Sequence, residues 1–316
     1  MYSIAIIGTG ALGKRHLESV LKTNLPCEIY AVDNDKNSLE SVTAFSGNKV
    51  VCGQDTDILP KKLDVVIIAT SSASRKYVFE QAVSHSEIKY IIFEKVLFQK
   101  IEDYYAVEKL LRIKKIKSWV NCVRREWDSY ISLKKIIDRS SYFTCNVSGG
   151  NWGLACNCIH LLDLIQFLSG SRNCKLDDIN LTPVIVESKR KGYKEVFGAV
   201  TGSCGKCQAF SIACFKDSSL PMQIELSGDN FKAVIMEDTK KMLFMQAENN
   251  WKMEEKEFST VYQSQLTQKV VENIVLNGNC KLPEYEEAMG LHLKYIKPLI
   301  VFFEEQGLEK GLCPIT

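Results

Sequence analysis

Ser3-Ile4-Ala5-Ile6-Ile7-Gly8-Thr9-Gly10-Ala11-Leu12-Gly13 decides how the first half of this chain is read. A short apolar run ends in glycines at 8, 10 and 13, and a helix-like stretch follows with Leu12, Leu17, Val20 and Leu21 on one face. Each glycine has a physical task if the turn carries a pyrophosphate. Gly8 permits the tight turn, Gly10 lets the backbone come close to the phosphates, and Gly13 lets helix and strand pack tightly. Ala11 and Leu12 open the helix, whose unpaired N–H groups and positive dipole end suit the same anion. Beyond Pro26, Glu28–Val32 reads as a second strand, and Asp33 stands at its end. Its carboxylate suits the ribose hydroxyls of NAD and repels the 2′-phosphate of NADP, a repulsion that Lys36 softens. FAD-binding and methyltransferase chains use similar turns and remain alternatives at this point.

Further out, Asp64–Ala69 and Tyr90–Phe93 are continuous apolar runs of strand length, as a parallel sheet covered on both faces requires. Ser118–Val123 reads as the last strand of this region. Thr70 and Ser71 follow the fourth strand, where open α/β sheets bind ligands, so they are candidate cofactor contacts; a polar turn capping the next helix is the other reading. From about residue 124 the pattern changes. A helix near 128–139, a Gly149-Gly150-Asn151-Trp152-Gly153 loop and an apolar helix near 160–168 precede strand-like runs at 183–190, 195–201, 207–214, 221–227, 231–236, 241–246 and 251–258. Turns such as Gly228-Asp229-Asn230 and Glu237-Asp238-Thr239 between them predict a mostly antiparallel sheet. Helices at about 261–276 and 284–305 close the chain. The expected architecture is therefore α/β: an N-terminal Rossmann domain with a doubly wound parallel sheet (1–122), then a C-terminal α/β domain with a large, mostly antiparallel open sheet (123–316). The last helix could pack back on the first domain.

The 316 residues suffice for two cores. Forty Lys and Arg against 38 Asp and Glu leave a formal charge of +2, and no basic run with interleaved aromatics argues for nucleic acid. Met1-Tyr2-Ser3 runs straight into a strand, so no secretory leader is expected, and no stretch has membrane-spanning length. The 12 cysteines are scattered through apolar segments like reduced, buried thiols, which predicts a cytoplasmic protein. Cys204-Gly205-Lys206-Cys207 has metal or redox spacing but neither a second Cys/His pair nor a helix start, so it reads as a hairpin turn and no metal is expected. Alternation in Met222–Leu226 and Ala233–Met236 leaves apolar side chains on an uncovered face, predicting a homodimer or homotetramer through the C-terminal sheet.

Two further segments suggest chemistry. Lys95, after Phe93-Glu94 at the end of an apolar strand, is out of place in a core. His160, in Asn157-Cys158-Ile159-His160-Leu161-Leu162-Asp163, is expected in the first turn of a helix, where the dipole favours a neutral base. With these residues the chain resembles the glucose-fructose oxidoreductase / inositol dehydrogenase / MocA family over essentially its whole length. The resemblance implies that Glu94 lies near the cofactor, that Lys95 polarises a substrate hydroxyl, and that His160 takes its proton as hydride leaves for the nicotinamide. It places Asn121, Arg124 and Arg125 in the region that carries an Asn and an Arg near cofactor and substrate, and Asp163 on the helix of His160. The residues themselves add a polar loop at 149–153 that suits a polyhydroxy substrate, with Trp152 to stack on a ring and Asn157 to offer a hydrogen bond; an ordinary turn with an anchoring tryptophan is the other reading. Three departures stand out: Val96 replaces the proline after the lysine, and Cys156 and Cys158 replace an Asp and a Gly of the helix motif. The expected activity is NAD-dependent oxidation or reduction at a secondary alcohol or ketone carbon of a sugar, cyclitol or nucleotide- or phosphate-linked sugar. The alternatives are reduction of a non-sugar C=O, C=N or C=C bond, and a dinucleotide-binding regulator that has lost catalysis.

Overall fold

The computed structural model describes the chain from Met1 to Thr316. It divides into two compact units, one of Met1–Asn121, Val261–Met289 and Thr316, the other of Cys122–Thr260 and Gly290–Ile315. In the first, β1 (Tyr2–Ile7), α1 (Ala11–Val20), β2 (Cys27–Val32), α2 (Lys36–Ser46), β3 (Val50–Gly53), β4 (Lys62–Ile68), α3 (Ser72–His85), β5 (Glu87–Phe93), α4 (Ile101–Lys114) and β6 (Lys117–Val120) alternate. All six strands pair in parallel, in the order β3-β2-β1-β4-β5-β6. The order reverses direction between β1 and β4, so the carboxyl ends of these two strands flank a ligand crevice. Ile4, Ala5, Ile6 and Val65–Ile68 are fully buried, which is why these strands are unbroken apolar runs.

In the second unit, α5 (Asp128–Ile137), β7 (Phe143–Gly150) and α6 (Leu154–Ser169) lead into β8 (Cys174–Leu181). A small hairpin of β9 (Val186–Glu187) and β10 (Lys194–Glu195) follows. Then come β11 (Gly198–Cys204), β12 (Cys207–Phe215), β13 (Gln223–Gly228), β14 (Phe231–Met236), β15 (Lys241–Gln246) and β16 (Glu254–Glu257). Eight strands form one sheet, β16-β15-β14-β13-β7-β12-β11-β8. It is mixed, because β7 pairs in parallel with β12 while every other pairing is antiparallel. Phe143, Cys145, Val147, Ile224, Leu226, Phe231, Ala233 and Ile235 supply the buried face by strict alternation.

Three expectations need correction. The run at 183–190 contributes only Val186–Glu187, and the sheet strand lies earlier, at Cys174–Leu181; Pro183 has no N–H to offer a ladder. The run at 251–258 shortens to Glu254–Glu257 because Asn250 and Trp251 take φ of 51° and 60°, outside strand conformation. The cysteines are not all reduced. Gly205-Lys206 does form the turn between β11 and β12, but Cys204 is bonded to Cys174, directly opposite it on β8. The other ten form no disulfide.

Past the sheet, α7 (Gln263–Asn277) belongs to the first unit. It packs on α1, with Gln268 N donating to Ser19 Oγ at 2.8 Å and Thr23 Oγ1 to Glu272 Oε1 at 2.7 Å. Val120 N of β6 donates to Pro283 O at 3.0 Å, so the chain re-enters this unit up to Met289. α8 (Tyr285–Glu305) begins there and continues in the second unit. No helix is long and apolar enough to cross a membrane.

Candidate active site

The glycine turn between β1 and α1 has the geometry that its sequence requires. Gly8 takes φ +93°, and a Cβ on it would lie 2.7 Å from Thr70 N. A Cβ on Gly13 would lie 1.8 Å from Gly8 O, so helix and strand touch there. Gly10 differs: a Cβ would meet nothing within 4 Å. The close approach is reserved for something outside the chain, which fits a pyrophosphate at the start of α1. Asp33 accepts from Thr9 N at 2.5 Å and Thr9 Oγ1 at 3.1 Å through one oxygen, and from Asp35 N at 2.9 Å through the other. Its carboxylate is thereby aimed and remains half-exposed at the end of β2. Thr70 Oγ1, next to Gly8 at the end of β4, is buried without a hydrogen-bond partner. A buried hydroxyl left so costs free energy that a bound polar group recovers. Ser71, the residue before α3, makes no cap hydrogen bond through its side chain.

At the end of β5, Lys95 is half-exposed while Glu94, Val96, Leu97 and Phe98 around it are buried. The Lys95–Val96 peptide is cis although no proline is present. Arg75 of α3, 1% exposed, grips this turn: its guanidinium donates to the carbonyls of Val96, Leu97 (2.8 Å) and Thr70. Glu94 does not face open solvent. Its Oε1 accepts from Asn121 Nδ2 and lies 2.9 Å from His16 Nε2, whose Nδ1 is 2.9 Å from Thr267 Oγ1. Gln263 joins through Asn121 Nδ2 at 2.9 Å. Burial pushes the Glu94 carboxyl up, but the hydrogen bond and charge of His16, the Arg75 charge and the Asn121 amide outweigh it and hold the group below its ordinary range.

In the second unit, α6 starts at Leu154, after Gly153 at φ +86°, so His160 lies in the second turn and not the first. The helix begins early because Leu154, Ala155 and Cys158 already face the core. The dipole, which acts within the first turn, thus bears less on His160 than the sequence suggested. Cys156, Asn157 and His160 are half-exposed on α6. Asn157 Nδ2 donates to Trp152 O at 2.8 Å, and Trp152 Nε1 to Ala213 O at 3.0 Å, which ties the loop before the helix to β12. Arg125 and Asp163 are brought together: the guanidinium donates through Nε at 2.9 Å and Nη2 at 2.7 Å to the two carboxylate oxygens, both side chains buried. Arg124 forms the same fork with Glu237, at 2.8 and 2.6 Å, while Tyr130 Oη donates to Glu237 at 2.6 Å. Both arginines, expected at a substrate, thus hold the segment after β6 in place.

Sequence reading passed over His16, Arg75 and Glu195. The first two left a signal, since Gly13, His16, Leu17 and Val20, and likewise Arg75, Phe79 and Ala82, are spaced as a buried helix face. A polar residue in such a stripe has partners inside. Glu195 left none, because its partner Ala155 is far away in sequence.

Residues 2–122 match the family described as oxidoreductases with an NAD-binding Rossmann fold, the glucose-fructose oxidoreductase / inositol dehydrogenase / MocA group. Among solved structures the chain is similar to a UDP-N-acetylglucosamine 3-dehydrogenase from Acidithiobacillus ferrooxidans, with 12% identity, TM-score 0.73, and 94% of this chain and 96% of that one covered. A scyllo-inositol dehydrogenase from Lactobacillus casei gives 15%, 0.68, 94% and 95%. The super-repressor mutant of Gal80p from Saccharomyces cerevisiae gives 13%, 0.73, 98% and 97%. At these identities the likeness is one of fold.

Proposed function

We propose that the protein is an NAD-dependent dehydrogenase or reductase acting on a secondary alcohol or ketone carbon of a polyhydroxy compound: a sugar, a cyclitol, or a nucleotide- or phosphate-linked sugar. The observation that carries the reading is the open cradle at Gly10 beside the aimed carboxylate of Asp33. Gly8, Gly10, Ala11, Leu12 and Gly13 would hold the pyrophosphate, Asp33 the ribose, and Thr70 and Ser71 the rim near the nicotinamide. The Asp33 charge supports NAD over NADP. Bound there, NAD would accept a hydride from the alcohol carbon, or NADH return one to the ketone.

The chain's own groups handle the proton. Lys95 donates a hydrogen bond to the substrate oxygen, and His160 takes the hydroxyl proton as the C–H bond breaks. Arg75 holds the turn from which Lys95 emerges. Glu94, with His16 and Asn121 on it, acts as a support for that turn. Trp152, Asn157 and Arg124 are the substrate-facing candidates that are not fully buried, with Arg124 held by Glu237. The half-exposed Ala213, Val234, Met236 and Leu243 and the exposed Phe215 support self-association through the second sheet. Ten cysteines outside any disulfide support a cytoplasmic setting.

The test is turnover of a panel of sugars, cyclitols and nucleotide sugars with NAD. Lys95→Ala and His160→Ala are each expected to lower kcat by about 10²-fold or more with NADH affinity kept. Full activity in both variants would refute the site. NADH binding without turnover of any carbonyl or alcohol would favour a regulator, in line with the super-repressor form of Gal80p.

A further inference from the structure

Cys156 and His160 are four residues apart on α6 and therefore lie one above the other on the face that stays half-exposed. A carboxylate from elsewhere in the chain sits under that face. Glu195, at the end of β10, accepts from Ala155 N and from Val196 N (3.1 Å) through Oε1, and hydrogen-bonds with the side chain and backbone of Cys156. Its Oε2 and Asn157 Nδ2 each come 3.0 Å from the point where a side chain on Gly153 would begin. Titratable neighbours of this carboxylate are Cys156 and Cys158 on α6, Cys214 on β12 and Tyr295 on α8, with Cys313 beyond Cys156 and Tyr295. Burial pushes Cys158, Cys214, Tyr295 and Cys313 upward, so these stay neutral at neutral pH. Further along α6, the Asp163 charge is matched by Arg125.

We propose that Glu195 is a positioning residue for the reaction: a buried carboxylate hydrogen-bonded to Ala155 and Cys156 at the start of α6, four residues before His160 on the same helix, that keeps the imidazole basic enough to accept a proton. This rests on the reading of His160 as the base. The carboxylate offsets the positive end of α6 and stabilises the imidazolium formed when the substrate hydroxyl gives up its proton. Across one helical turn, a charge screened as fully as in bulk water still moves a titration midpoint by about half a pH unit, and burial makes the shift larger.

The experiment is an NMR titration of the histidine-labelled full-length protein, with the His160 resonance assigned by its loss in His160→Asn. Glu195→Gln keeps an oxygen for the Ala155 and Val196 N–H groups and removes the charge together with the acceptor that Cys156 uses. It should lower the His160 midpoint by about half a unit or more, and the acid limb of kcat/KM should move with it. Glu195→Ala, which also loses the cap, should show the same shift despite earlier melting. An unchanged midpoint in both variants overturns the proposal. A shifted midpoint together with full turnover in His160→Asn would overturn the reading of His160 as base, and with it the role in the reaction, while leaving the electrostatic link intact.

Discussion

Glu94 and Glu195 are both buried carboxylates, 3% and 9% exposed, and they sit in opposite surroundings. Glu94 meets His16, the Arg75 charge and the Asn121 amide, and its carboxyl is held below the ordinary range. Glu195 meets backbone N–H groups and a thiol; burial pushes its carboxyl up, and the N–H groups of Ala155 and Val196 only partly oppose this. A carboxylate ringed by donors and positive charge stabilises the fold that built the ring. One held by amides and a thiol, with no positive charge beside it and under an accessible helix face, spends stability on keeping a charge in place. The two carboxylates therefore teach where to look for support and where to look for chemistry.

The largest effect should come from stripping the surroundings of Glu94. Arg75→Met leaves the Val96, Leu97 and Thr70 carbonyls without their donor and removes positive charge from the carboxylate's surroundings; a loss of about 3 kcal/mol is expected in urea denaturation at pH 7. A loss below about 0.5 kcal/mol would mean that the ring is ornamental.

The pH slopes come next and should have opposite signs. With Glu94 depressed in the folded state, its stabilisation is present above the ordinary value of 4.5 and is lost as pH falls through the depressed one. Glu94→Gln should flatten that acid limb in a series of melting curves. Glu195 is raised, so its contribution is complete below 4.5 and is lost as pH rises through the folded value. Glu195→Gln should then be at least as stable as the wild type at pH 7, whereas Glu195→Ala, lacking the cap, should lose about 1 kcal/mol. Loss of more than that in Glu195→Gln would make the residue structural, and the contrast with Glu94 would fail.

Much of the first unit is legible because its determinants are local. Strand, Gly8-Thr9-Gly10, helix and Asp33 lie within one βαβ unit, and the glycine spacing alone specifies the turn. The second unit was harder. The alternating β7 was passed over before its terminal Gly149-Gly150, and its parallel pairing with β12 depends on partners far along the chain. The resemblance places Arg124 and Arg125 near a substrate, but no local pattern could have shown that Glu237 and Asp163, far along the chain, pair with them. Glu195 is the extreme instance: nothing in Lys194-Glu195-Val196 announces a helix 40 residues earlier, and only the folded register brings the carboxylate to Ala155.

The account depends first on the nucleotide cradle. Its most direct test is a titration of the wild type and Gly10→Val with NADH and NADPH, followed by nicotinamide fluorescence. Saturable NADH binding, tighter than NADPH and lost in a Gly10→Val variant that melts like the wild type, is the predicted result, since a Cβ at position 10 would meet nothing within 4 Å. Failure of the wild type to bind either nucleotide, or undiminished binding in Gly10→Val, would contradict it.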